Sequence, residues 1–287
     1  MDNDEHHAIW QVLAGMVWNE VAFNTLAEIA DSNSDSSLNN PLIVEAILEG
    51  HIAVQVLAIR RLTDTTKRVI SLSNLIKDVR KNRNLLTREN YVAFDGLPYE
   101  YEDAKEEHLK NIGTGFVRLE TTGSRAFWSA QRAHEQFDRL SGVRPDQRKR
   151  DDRIPATLFD TIESWIKDCG AKEIANWSHN FLAHAGSLAS REENLAYDLN
   201  GAKISNAIKG LAQATEAVSA YILYSSGRMN SLMATPQYDQ FQRLENAAMS
   251  NTSKIDPVVI WAELSREYEN ALQNIEGNLV SGSTFTA

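Results

Sequence analysis

One cysteine, Cys169, in 287 residues excludes an internal disulfide framework and any cysteine-based zinc site. Residues 1–7, Met1 to His7, lack the basic region and following apolar run of a leader. A cytoplasmic protein is expected. The longest apolar-looking segment, Ile204 to Tyr224, contains Lys209, Gln213 and Glu216. Charge at the middle of a membrane span is strongly disfavoured, so no membrane helix and no membrane partner are expected. Serine-hydrolase, Rossmann and P-loop signatures are all missing. Gly113 and Gly115 read as a bend, since no strand precedes them and no Gly-Lys-Ser/Thr follows. There is no β-hairpin signal, internal repeat or low-complexity block.

What is present is helical periodicity. With 43% hydrophobic and 24% charged residues, the chain suits one large or two small globular domains. Ile9, Trp10, Leu13, Met16, Val17, Leu26 and Ile29 keep helical spacing over about Glu5 to Ala30. Asp31 to Asn40 breaks the pattern with Ser, Asn and Asp, whose short side chains compete for backbone hydrogen bonds. Pro41 then fits the first position of a helix capped by Asn40 and running to about Asp64. Further helices are expected from Ser71, from Thr87, over Glu100 to Lys110, Thr122 to Leu140 and Pro155 to Cys169, the last closed by Gly170. Asp95-Gly-Leu-Pro is turn chemistry. Beyond it, Lys172 to Ser187, Ala202 to Ser226, Thr235 to Ser250 and Asp256 to Glu276 also read as helices, and residues 281–287 as a loose tail. Arg144 to Arg153 is a charged connector, too polar to bury and the best mid-chain linker candidate, although its length also suits a loop within one domain. The fold class is all-α.

Charge is unevenly spread. Between Arg60 and Arg88, nine Lys or Arg face two acids, a net of +7; because the whole chain carries −10, the remainder carries −17. The segment reads either as a solvated helix face or as a polyanion-facing surface. At its start, Arg60, Arg61 and Asp64 suit an ion-paired helix end or a phosphate-facing edge, and Lys67 and Arg68 extend the same basic run.

The stretch Lys172 to Ser187 carries the chemistry. Glu173, Asn176, Asn180 and His184 fall on one helix face, beside an apolar stripe of Ile174, Trp177 and Phe181. Buried amides and imidazoles are costly without partners, so such a row on a core-facing helix points to a requirement beyond packing. His179 and His184, five residues apart, point about 140° away from each other on an ideal helix. They cannot chelate one metal, and neither metal nor cofactor is expected. Asn180 can hydrogen-bond His184 and fix its tautomer, which fits a structural pair as well as a catalytic one. Trp177 and Phe181 read as core, with base stacking as the alternative.

His179-Asn-Phe-Leu-Ala-His184-Ala resembles the Arg-Asn-x-x-x-Ala-His or Arg-Asn-x-x-Ala-His segment of the HEPN superfamily, small all-α modules of toxins, abortive-infection proteins and CRISPR-associated ribonucleases. Leu57 to Leu75, with Arg-Arg-Leu-Thr-Asp followed by Ser-Leu-Ser-Asn-Leu, is similar to the abortive-infection-type branch. Asn180, Ala183 and His184 match the motif; His179 stands at the arginine position. The resemblance implies a HEPN-like bundle over about residues 1–226, with 227–287 as a C-terminal helical extension and tail. It also implies a homodimer with a composite site and metal-independent RNA cleavage through the ribose 2′-hydroxyl, as in a phage-defence toxin or endoribonuclease. His184 would be acid or base, His179 and Asn180 its companions, Arg60, Arg61, Lys67 and Arg68 the phosphate contacts, and Asp64, Asn176 and Trp177 the support. A histidine supplies a cation only when protonated, whereas arginine stays charged and offers a bidentate fork. The departure at His179 therefore leaves a second reading open: a non-catalytic dimeric module binding RNA, nucleotide or a protein partner, such as a paired nucleotidyltransferase.

Overall fold

The computed structural model describes residues 8–32, 34, 36–94, 96–111, 126–179, 198–224 and 257–282, and among these it is all-α, without a strand. The helices are α1 (Ile9–Ser32), α2 (Pro41–Thr63), α3 (Leu72–Lys81), α4 (Arg88–Ala93), α5 (Glu102–Asn111), α6 (Ala126–Ser141), α7 (Ala156–Asp168), α8 (Ala171–Ser178), α9 (Gly201–Glu216), α10 (Pro257–Ala271) and α11 (Ile275–Ser281). The Gly113–Gly115 bend, the helix expected over 235–250 and the tail from 283 lie outside the described residues.

Local chemistry sets the helix starts. Asn40 Oδ1 accepts from Leu42 N (3.0 Å) with Pro41 in the first turn of α2, Ser71 Oγ accepts from Asn74 N (3.1 Å), and Asn200 Oδ1 from Lys203 N (3.1 Å). Each cap satisfies a backbone N–H that the helix cannot, worth about 0.5–2 kcal/mol. Gly170, in the left-handed region at φ 77°, turns the chain from α7 into α8.

Helix α9 is the centre of the bundle. From Gly210 to Glu216 it is buried on every side, Ile204 and Ile208 are buried before that, and Ala207, Gly210, Ala212 and Ala214 let α1, α2, α7, α8 and α10 approach closely. The helix then widens to i→i+5 spacing over Ala217–Ile222, where Leu223 N donates to Val218 O (2.9 Å). Side chains from two neighbours reach its last carbonyls: Gln136 Nε2 donates to Ala220 O (3.2 Å) and Tyr91 Oη to Tyr221 O (2.5 Å). Helices α10 and α11 close the same core, with Trp261 edge-on to Trp18 and Ile275 and Leu279 fully buried. They are separate helices, where the sequence suggests one from Asp256 to Glu276, because Asn274 adopts φ 54° and ends the run.

Of the two readings of the charged connector Arg144 to Arg153, the contacts fit the loop within one domain. Arg88 N donates to Asp152 O (2.9 Å) and Glu89 N to Arg150 O (3.0 Å), strapping it to α4. Its charges are paired at long range: Arg148 with Asp138 (2.6 Å), Arg150 with Glu89 (2.6 Å) and Glu100 (2.9 Å), and Asp152 with Arg88 (2.9 Å). Mutual satisfaction lets a polar segment pack where composition alone suggests solvent.

Helix α2 has two unlike halves. Val56, Ile59 and Leu62 lie in the core, whereas Leu42, Ile43, Val44 and Leu48 are exposed, Leu42 by 76%. By length and composition it is, among the described residues, a helix apolar enough to cross a membrane. Its buried half is packed against α1, α8 and α9.

Candidate functional site

Helix α8 lies along α2. Its first turn sits beside the end of α2, because Lys172 lines one cleft with Thr63 and Thr65. From there α8 runs back along α2 toward the exposed apolar half. Ala171, Ile174 and Ser178 are buried against the bundle, and Trp177 is half-buried on the core. Glu173 and Asn176 are exposed, so the polar row faces solvent over the described part of the helix. His179 continues the helical backbone (φ −59°, ψ −41°) and is exposed. Asn180, Phe181 and His184 lie outside the described residues.

The basic residues sit at the other end of α8. Arg60 and Arg61 occupy the last turn of α2, half-buried. Asp64 follows as the cap residue and pins the loop to α3: Thr66 N donates to its carboxylate (2.7 Å), and Ser71 Oγ to its carbonyl (2.5 Å). Thr66, and then the Arg60 guanidinium, hold the Asp64 carboxyl below the ordinary carboxylate range against an opposing effect of burial. Asn74 Nδ2 donates to the carbonyls of Thr66 (2.9 Å) and Val69 (3.0 Å). On this strapped loop Lys67 and Arg68 are exposed, with Arg68 left-handed at φ 70°. From Lys172 to His179 is seven residues, about 10 Å of helix. The proposed phosphate contacts and the histidine are thus separated along α8.

Not all of the basic segment is surface. Arg88 is fully buried, and Arg80 is taken up by Asp160 (2.7 Å) and Glu163 (2.8 Å). Another residue of the segment, Lys77 of α3, lines a cleft of about 260 Å³ together with Lys167 of α7 and Lys172 of α8. Sequence reasoning missed the latter two because they are single charges on either side of the Gly170 turn; the turn glycine between two lysines was the available signal.

Two other polar clusters are structural. His51 of α2 presents its ring nitrogens to Asn19 Oδ1 (2.7 Å) and Glu20 Oε2 (3.1 Å) of α1, with Phe23 stacked on the ring, and is closed to solvent. A more open cleft of about 410 Å³ is lined by Tyr99, His134, Arg148 and Arg150, but its guanidinium groups are committed to carboxylates. The Cys169 thiol is pushed up to about 11 by burial, which makes it a poor nucleophile.

A scan against protein-family models, a search of curated proteins and a search of solved structures each found no match to this chain.

Proposed function

We propose that this chain is a HEPN-like RNA-directed protein, a metal-independent endoribonuclease or toxin of a phage-defence system. The observation that carries the reading is the packing of α8 along α2. The two stretches that separately resemble the family, Leu57 to Leu75 and the helix leading into His179-Asn-Phe-Leu-Ala-His184, share one interface although residues 76–170 divide them. In the reaction, His184 takes the proton of a ribose 2′-hydroxyl as the 2′-oxygen attacks phosphorus. The 5′-oxygen leaves and is protonated, giving a 2′,3′-cyclic phosphate and a 5′-hydroxyl. General acid–base catalysis of this kind is worth about 10²–10⁴ in rate.

The reading includes a homodimer. Its support is the half of α2 on which Leu42, Ile43, Val44 and Leu48 stand exposed, since contiguous exposed apolar surface marks an interaction site. Helix α8 carries its histidine end toward that half. A second copy seated there suits a composite site.

The test is cleavage of RNA by the purified protein in chelator, with product ends identified. His184→Ala should lose about 10²–10⁴ of the rate; cleavage equal to wild type refutes the assignment. His179 favours a second reading, a dimeric module that binds RNA, nucleotide or a protein partner without cutting, because the ever-charged arginine of the motif is not there.

A further inference from the structure

We infer that the cleft between α2, α3, α7 and α8 binds the terminal phosphate of a nucleotide. Three lysines from three helices line it: Lys77, Lys167 and Lys172. All three lysines are exposed, and none has an ion-pair partner among the described residues. Thr65 and Ser73 add two hydroxyls to the same wall.

One carboxylate, Glu163, also lines the cleft, and its charge is already met. Arg80 Nη1 lies 2.8 Å from Glu163 Oε2, and Arg80 Nη2 reaches Asp160 at 2.7 Å. The helix dipoles offset one another, because α3 and α8 begin at the cleft while α2 and α7 end there. Three unneutralised lysines therefore set the sign of the local field. An ammonium is a compact point charge with three rotatable donors, well suited to phosphate oxygens.

Size and charge narrow the ligand. At about 260 Å³ the cleft is smaller than the usual 300–1,000 Å³ of a drug-sized site. It holds a phosphate and a sugar more readily than a whole nucleotide, leaving the base outside. A terminal phosphate carries about −1.5 to −2 at neutral pH, a closer match to three cations than the single charge of an internal phosphodiester. Ile76 and Ile166 offer an apolar wall for the carbon face of the sugar. The site does not depend on RNA cleavage, and it is distinct from the Arg60, Arg61, Lys67 and Arg68 set.

The experiment is calorimetric titration of the full chain at low salt with AMP, inorganic phosphate, and one short RNA bearing either a 5′-phosphate or a 5′-hydroxyl. AMP and the 5′-phosphorylated RNA should bind, and the combined Lys77→Ala, Lys167→Ala, Lys172→Ala variant should bind at least tenfold more weakly at unchanged Tm. Comparable affinity for AMP and phosphorylated RNA identifies a free-nucleotide site; phosphorylated RNA binding far above AMP identifies an RNA end. Equal binding of the two RNAs, binding undiminished in the triple variant, or binding of neither AMP nor phosphorylated RNA overturns the inference. His184→Ala should bind these probes as wild type does, which separates failure here from failure of the cleavage reading.

Discussion

Arg88 Nε donates to Asp152 Oδ2 at 2.9 Å from a side chain with no exposed surface. The same guanidinium donates through Nη1 to Asp138 Oδ1 (2.6 Å) and lies 4.6 Å over the Phe137 ring. Asp138 is in turn held by Arg148 (2.6 Å). A single arginine thus ties α4 to α6 and to the Arg144–Arg153 strap. Removing Arg88 leaves Asp152 without its ion-pair partner while Asp138 keeps Arg148, and breaking a buried pair in this way costs about 3–5 kcal/mol. Arg88→Met keeps the stem over Phe137 and should still lose that much in urea unfolding. A loss below about 1 kcal/mol would show the network to be ornamental.

His134 supplies a pH limb. Burial, reinforced by the Arg148 and Arg88 charges, holds its pKa below the ordinary histidine value, and the bond between Nε2 and Tyr99 O (2.9 Å) only partly offsets this. The fold therefore favours the neutral ring. A lowered folded value gives a stability contribution that is complete above the unfolded pKa near 6.5 and is lost as pH falls through the folded value. Tm should fall on acidification in that window, and His134→Phe should flatten the fall. An unchanged acid limb in the variant would assign it to other groups.

Glu216 behaves in the opposite sense. It is 4% exposed at the end of α9, its Oε2 has no hydrogen-bond partner among the described residues, and burial raises its pKa. A raised value means the contribution is complete below the unfolded pKa and is lost as pH rises through the folded one. At neutral pH the carboxylate is a cost. Glu216→Gln should therefore stabilise the protein at pH 7 by about 1–3 kcal/mol and change little near pH 4. A destabilised variant at neutral pH would indicate that the carboxylate has a partner.

The helix ends were legible because capping is local: Asn40-Pro41, Ser71 and Gly170 each act on residues within a turn. What depends on distant pairing was not. Arg144 to Arg153 looks solvated until Arg88 and Asp138 are brought to it. Likewise, Lys167 and Lys172 share a cleft with Lys77 only because the fold lays α3 beside them. Spacing assigned Leu42 and Ile43 to the apolar pattern of α2, but periodicity says which side chains share a face, not whether the face meets a partner. Of the proposed composite site, the structure describes His179, Asn176 and Trp177, while Asn180 and His184 lie outside the described residues.

The exposed half of α2 makes oligomeric state testable. Leu42, Val44 and Leu48 are exposed, and Val44 and Leu48 line a groove of about 250 Å³ with Phe23, Leu26 and Ile47. Full burial of one such side chain is worth about 1.5–3 kcal/mol, so a contact covering several supports a stable dimer. Light scattering should give a dimer for wild type and a monomer for Leu42→Glu combined with Leu48→Glu. A wild-type monomer at high concentration would remove the homodimer from the proposed function.

His179→Arg separates the two functional readings. The side chain stands on the exposed end of α8, so an arginine there adds a permanent charge and a bidentate fork with little disturbance of the core. A hydrogen bond to a charged group is worth about 1.5–3 kcal/mol, which corresponds to roughly 10- to 150-fold in rate if the contact forms only in the transition state. A catalytic site weakened by histidine should gain about that factor in RNA cleavage, and the gain should vanish when His184→Ala is added. Unchanged cleavage in a variant with wild-type Tm and dimer mass would favour the binding module, because the restored arginine would then have no reacting phosphate to meet.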